Sequence, residues 1–233
     1  MNEFLENRYF LTIKKEKILF TALDNIEEPI LEKKLPITGS SDENIYSFVE
    51  HFLEKNIFGI EKDLKNFIKK IYIIFESDSF FSIGSSIKRN LENTNLDYTQ
   101  IQDSLIDIRK QFNKYSPEFE TIHMIMNEFI VDGIKYETLP EKSGVKNLII
   151  QINFICLEKK KVEKFKEIFL KYQISIDKIL SYDYIKNLNK ENNLNISLVA
   201  NNILNGQNIN EVLMIKKTSK NQGFFEKFFN FFN

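Results

Sequence analysis

Residues Phe119–Phe154 read FETIHMIMNEFIVDGIKYETLPEKSGVKNLIIQINF, and this stretch decides the fold class of the chain. Two apolar runs frame it. Ile122–Val131 mixes β-branched and aromatic residues and stops at Asp132-Gly133, a strong turn signal. Leu148–Cys156 alternates polar residues with Ile and Phe, as a half-buried strand does. Between the runs, Gly133–Lys146 is polar and interrupted at Leu139-Pro140 and Ser143-Gly144. It predicts a loop longer than most strand connections, and therefore a recognition loop.

Outward from this pair the chain alternates strand and helix signals. Tyr9–Ile13, Lys17–Leu23 and Ile30–Leu35 read as strands joined by short charged turns. Thr38-Gly39-Ser40-Ser41-Asp42 is a small-polar boundary. Beyond it Ile45, Phe48, Val49, Phe52 and Leu53 fall on one helical face. Lys70–Glu76 predicts a strand and Phe80–Ile83 a short edge strand. A second amphipathic helix opens at Asp97-Tyr98-Thr99, runs through Ile101, Leu105, Ile108 and Phe112, and halts near Ser116-Pro117. After the central pair, Val162, Phe165, Ile168, Phe169 and Tyr172 mark a third helix, followed by a strand ending at Ser181. Ser197–Leu204 predicts a short helix and Glu211–Ile215 a strand returning to the N-terminal sheet. The order predicts an α+β layer with helices on one sheet face.

With 233 residues and 42% hydrophobic residues, the chain is long enough to bury a full core in one or two domains of about 100–200 residues. A formal net charge of -1 leaves no basic excess for a polyphosphate backbone, so nucleic acid is not expected as a partner. The single Cys excludes an internal disulfide framework. Cys156 sits within an apolar run and reads as a buried, inert thiol in a reducing compartment. No stretch is long and apolar enough to predict a membrane span.

Catalytic and metal signals are weak. His51 is one position off the apolar helix face and reads as solvated. His123, within an apolar strand, reads as a hydrogen-bonded core or strand-edge histidine before it reads as a general base. Two His and one Cys so scattered match no zinc spacing, so no metal is expected. Asp103, Asp107 and Glu128 carry no sign of convergence. Phe81-Ser82-Ile83-Gly84-Ser85-Ser86 lacks the second Gly of a nucleophile elbow. The chain is expected not to be an enzyme.

The same central stretch resembles the inserted α/β subdomain of the FtsA family, membrane-bound actin homologues of bacterial division. The family pattern is matched by His123, Glu128, Phe129, Ile130, Val131, Asp132, Ile134, Pro140, Ser143, Gly144, Val145, Lys146 and Leu148. Met126 stands where the family usually has Pro, and Glu141 where it has Gly. The resemblance covers about Asn44–Leu188. It implies a fold with that inserted subdomain, a small remnant of the first actin-like subdomain and a C-terminal amphipathic helix. Residues 1–40 are then N-terminal β strands of the actin-like lobe, 41–188 the inserted subdomain, 189–217 a return to the N-terminal lobe, and 218–233 a linker with a membrane-targeting helix. The family's first phosphate loop falls on Ile13-Lys14-Lys15-Glu16-Lys17, where no Gly permits close backbone approach, and with seven Gly in all no second phosphate loop is visible. Nucleotide binding is expected to be lost and no cofactor is expected. The two further actin-like subdomains of the family, including the one that binds FtsZ, are expected to be absent.

The C-terminus repeats a membrane theme. On a helix, Phe224, Phe225, Phe228, Phe229, Phe231 and Phe232 share one arc, with Lys220 and Lys227 at its start and side. An aromatic, basic, amphipathic tail behind a polar linker predicts insertion into a membrane interface. Burying six Phe gains about 9 kcal/mol gross, and ordering the backbone costs a similar amount, so one tail anchors marginally. A second copy of the chain or a membrane-embedded partner is therefore expected. Together these features predict a non-catalytic division adaptor, peripheral at the cytoplasmic face of the inner membrane and at the division site. Its implied partners are the cytoplasmic tails of membrane-spanning division proteins and FtsA-like neighbours, contacted through Gly133, Tyr136, Pro140, Ser143, Gly144 and Lys146. A second resemblance is to PilM, an actin-like adaptor of an inner-membrane assembly machine. An actin-like ATPase is the alternative of another class.

Overall fold

The computed structural model describes residues 7–39, 41, 44–189 and 194–213. It is a mixed α+β fold with two sheets and five helices among these residues. Strands β1 (Arg8–Ile13), β2 (Lys17–Leu23) and β3 (Pro29–Pro36) form an antiparallel meander. Helix α1 (Ile45–Leu64) follows, then β4 (Lys70–Phe75), which pairs parallel to β1. The chain then builds a second sheet. Its elements are β5 (Phe81–Leu96), α2 (Tyr98–Tyr115), β6 (Phe119–Val131), β7 (Ile134–Tyr136) and β8 (Lys142–Glu158). Helix α3 (Lys159–Leu170) returns to the first sheet, where β9 (Ser175–Ser181) pairs parallel to β4. Two short helices, α4 (Tyr182–Leu188) and α5 (Ile196–Leu204), come last.

The strand orders are β3-β2-β1-β4-β9 and β5-β8-β6-β7. These orders correct the expected division of the chain at residues 40 and 188. The helix after the boundary, Lys70–Phe75 and Ser175–Ser181 all belong with the N-terminal strands, and only Phe81–Glu158 forms the inserted unit. The physical reason lies in β1 and β4, whose residues are buried on both faces. Such strands need cover above and below and neighbours on both sides, which a three-stranded meander cannot supply. On one face Leu11, Ile13, Ile71, Ile73 and Phe75 pack under α1 and α3. On the other, Phe10, Leu23, Ile74 and Leu180 pack under α4 and α5. The first sheet thus carries helices on both faces. The second, wholly antiparallel, is covered on one face by α2, through Ile101, Leu105, Ile108 and Phe112.

The long loop expected at Gly133–Lys146 is not present. Asp132 (φ 49) and Gly133 (φ 87) make a two-residue hairpin with positive φ at both positions, which matches strand twist and lets Ile134 pair at once with Val131. Strand β8 already begins at Lys142, so only a short connection remains. The Asp132 carboxylate accepts from the backbone N–H of Lys146 and Asn147 and closes the hairpin against β8. Phe80–Ile83 likewise opens a far longer edge strand, because Phe81, Ile83 and Ile87 keep the alternation and pack on the second core.

Candidate functional site

The two sheets meet where β9, the edge of the first, lies beside the first half of β6 in the second. His123 of β6 is the tie. Its Nε2 accepts from the Ser181 backbone N–H at 3.0 Å, so Nδ1 carries the proton and donates to Glu211 Oε1 at 2.8 Å. The other Glu211 oxygen accepts from the Tyr184 hydroxyl at 2.8 Å, and Lys178 stands 3.4 Å from Oε1. Asn208 Nδ2 donates to Tyr184 Oη at 2.7 Å, and the His123 and Tyr184 rings are 4.2 Å apart. The strand expected from Glu211 back to the N-terminal sheet is not what Glu211 forms. Instead it bridges Ile125 of β6, with Met126 N–H donating to Asn210 O and Val212 N–H to Met124 O. That edge of β6 is open because β7 pairs only with its last residues.

Burial dominates the electrostatics of this cluster. It pushes His123 below the ordinary histidine value, against the pull of Glu211. Glu211 would be raised by burial, but the hydrogen bonds and charges of His123, Lys178 and Tyr184 hold it below the usual carboxylate range. The Tyr184 phenol is driven up by burial and by the Glu211 charge. Both ring nitrogens of His123 are occupied within the protein, so neither lone pair nor proton is free for a substrate. The cluster is a clamp between lobes.

A pH dependence follows. The folded value of His123 lies below its unfolded 6.5, so its contribution to stability is complete above 6.5 and is lost as pH falls toward the folded value. Below 4.5 Glu211 adds a loss of the same sign. Urea denaturation between about pH 7 and pH 5 is expected to show stability falling by up to about 1.4 kcal/mol per pH unit. A flat profile would contradict the neutral, clamped histidine.

Beside the clamp a cleft of ≈ 230 Å³ opens between the lobes. It is lined by Arg109 of α2, Glu120, Thr121, Ile122 and Met124 of β6, Val162 and Lys166 of α3, Ile176–Ile179 of β9, and Val212. Ile122, Met124, Val162 and Ile176 give it apolar walls. Arg109, Glu120, Asp177 and Lys178 give it a charged floor and rim. Thr121 Oγ1 is buried there without a hydrogen-bond partner among the described residues.

The residues predicted to bind a partner lie elsewhere. Gly133, Tyr136, Pro140, Ser143, Gly144 and Lys146 surround the β6–β7 hairpin, about 30 Å along β6 from the cleft at ~3.3 Å per residue. The hairpin brings them together, with Tyr136 packed on the second core. The predicted membrane residues Phe224, Phe225, Phe228, Phe229, Phe231, Phe232, Lys220 and Lys227 lie outside the described residues. Cys156 is buried, and burial pushes its thiol up to about 12. Among the described residues no group of His, Cys, Asp and Glu could hold a metal, and no helix is long and apolar enough to cross a membrane.

At the β1–β2 turn, where the FtsA resemblance places a phosphate loop, the protein supplies its own anion. Lys15 N–H donates to Glu76 Oε2 at 3.0 Å, Lys15 Nζ to Asp78 at 2.6 Å, and Lys14 pairs with Glu16 at 2.8 Å. A phosphate there would meet carboxylates. Titration calorimetry with magnesium-ATP is expected to show no one-site binding, and micromolar binding would overturn this.

No family model matches the chain, and neither does any curated protein. Solved structures do show similarity. One is the cytoplasmic domain of EpsL, an inner-membrane component of the type II secretion system of Vibrio cholerae, at 6% identity and TM-score 0.34 over 76% of this chain and 57% of that one. Another is a chain of the PilM–PilN type IV pilus biogenesis complex, at 8% identity and TM-score 0.40 over 78% and 49%. A third is a Bacteroides thetaiotaomicron protein with an actin-like ATPase fold and unknown function, at 14% identity and TM-score 0.33 over 83% and 61%. The chain spans 49 to 61% of the length of these chains.

Proposed function

We propose that the protein is a non-catalytic adaptor of an inner-membrane assembly machine, of the PilM kind, built on part of an actin-like fold. It acts at the cytoplasmic face of the membrane and receives a short segment of a membrane-embedded partner in the cleft between its lobes. The cleft carries this reading. It is the place where a clamped junction leaves apolar walls, a charged floor and the outer side of an edge strand, β9, together. Catalysis has no corresponding support, since the one buried histidine beside it has both nitrogens engaged. The division adaptor suggested by the FtsA-like pattern from His123 to Leu148 is the second reading, and it uses the same cleft with a division protein as the occupant.

A photo-cross-linking residue in place of Ile176 tests the proposal in cells. The expected product joins the cleft to a cytoplasmic segment of a membrane-embedded protein, and a synthetic peptide of that segment then binds the purified chain. Cross-links confined to soluble proteins, or a peptide that does not bind, would overturn it.

Membrane attachment through the tail is part of the same proposal. Phe228→Glu places a carboxylate in the middle of the apolar arc and is expected to abolish co-sedimentation with anionic liposomes. Charge reversal at Lys220 and Lys227 is expected to weaken sedimentation less and to reduce its salt sensitivity. Equal sedimentation of the full chain and a version ending at Lys217 would remove the tail from the proposal.

A further inference from the structure

The side chains around the cleft specify the chemistry of its occupant, an inference that rests on the adaptor reading above. Three cations approach from three elements: Arg109 from α2, Lys166 from α3 and Lys178 from β9. Two carboxylates share the lining, Glu120 and Asp177. Glu120 attracts Arg109, while the Asp177 carboxylate is engaged with the Tyr72 hydroxyl. Lys178 is partnered by Glu211. Lys166 is exposed and makes no ion pair among the described residues.

Arg109 and Lys178 repel one another, and burial already disfavours charge on each. Lys178 already has an anion in Glu211, so the cations left facing the open cleft are Arg109, part-buried on α2, and Lys166, exposed on α3. Arg109 presents a planar fork suited to a carboxylate, whereas Lys166 adds a mobile point charge from the rim. The walls beside them, Ile122, Val162 and Ile176, are apolar, and Thr121 Oγ1 offers an unused polar atom.

We infer that the cleft recognises an extended acidic peptide, with an Asp or Glu carboxylate met by Arg109 and Lys166 and an adjacent apolar side chain packed on Ile122 and Ile176. One wall is the edge strand β9, along which an extended chain can lie. Selection from a display library of random short peptides on the purified full chain tests the inference. Recovered peptides are expected to be enriched in Asp and Glu next to apolar residues. Their affinity, read by fluorescence anisotropy, is expected to fall about tenfold in Lys166→Gln and further in Arg109→Gln. Lys166 is exposed, so that variant keeps the parent's melting temperature and guards against a folding artefact. Peptides without acidic enrichment, or equal affinity for parent and both variants, overturn the inference and leave the adaptor reading in place. Recovery of no peptide, together with no cross-link from the Ile176 position, overturns both.

Discussion

Glu211→Ala is expected to cost about 3–5 kcal/mol of stability, because it removes one partner of a buried polar network and strands the rest. Three donors lose their acceptor at once: His123 Nδ1–H, the Tyr184 hydroxyl and Lys178 Nζ. The residue is 2% exposed, so water cannot take its place without opening the junction. Asn210 and Val212 hold β6 through backbone bonds on either side, with Val212 also packed on the second core, and they are expected to loosen with it. Glu211→Gln separates charge from shape. Its amide oxygen can satisfy one donor, but its NH2 then faces another donor, so the loss should be smaller than for Ala and still well above that of a surface change. Denaturant titration of the three proteins measures both losses. A cost under about 1 kcal/mol for Glu211→Ala would mean that the junction holds without its clamp.

The second large effect belongs to Phe165→Ala, expected at about 3–5 kcal/mol. Phe165 is wholly buried, and its ring stands 4.8 Å from that of Tyr46 and 5.1 Å from that of Phe75. One side chain therefore joins α3 to α1 and to β4. Its truncation removes apolar area and two aromatic contacts, and the surrounding sheet can collapse only in part. Against a total stability of roughly 5–15 kcal/mol, most of the folded population is at risk. Hydrogen exchange should localise the damage to α3 and β9, which form one wall of the cleft. Uniform protection across both lobes in the variant would contradict that placement.

Much of the first lobe was legible as periodicity. The runs at Tyr9–Ile13, Lys17–Leu23 and Lys70–Glu76 and the helical faces at Ile45–Leu53 and Val162–Tyr172 lie close to the observed elements. Their grouping was not legible. Parallel pairing of β1 with β4 and of β4 with β9 joins segments far apart in sequence, and nothing in KIYIIF or SIDKILS states which neighbour it takes. The turn at Asp132-Gly133 was legible, but the strand in Gly133–Lys146 was not, for a local reason. Lys142–Lys146 is strand with a mostly exposed face, and exposed strand has the composition of loop. The cleft left even less trace. Arg109, Glu120, Lys166 and Lys178 each look like an ordinary solvated charge in its own element, and only the meeting of four elements gives them a common role. His123 did carry a signal, a lone imidazole in an apolar strand. Its partner Glu211 carried none.

The start of β5 and the end of β8 are direct neighbours, with Phe81 opposite Cys156. The second lobe therefore leaves and rejoins the first through one narrow port, its two ends about 5 Å apart. Among the described residues no ladder joins a strand of one sheet to a strand of the other. Such a unit behaves as a cartridge. Closing the port with a short glycine bridge after excision would cost little chain entropy, but it would take Ile122 and Leu157 out of the first core and His123 out of the clamp, so a replacement insert has to restore those contacts. A different insert, seated through the same port, would face β9 with a new set of side chains. The architecture thereby separates the part that keeps the shape from the part that can be exchanged to change what is held.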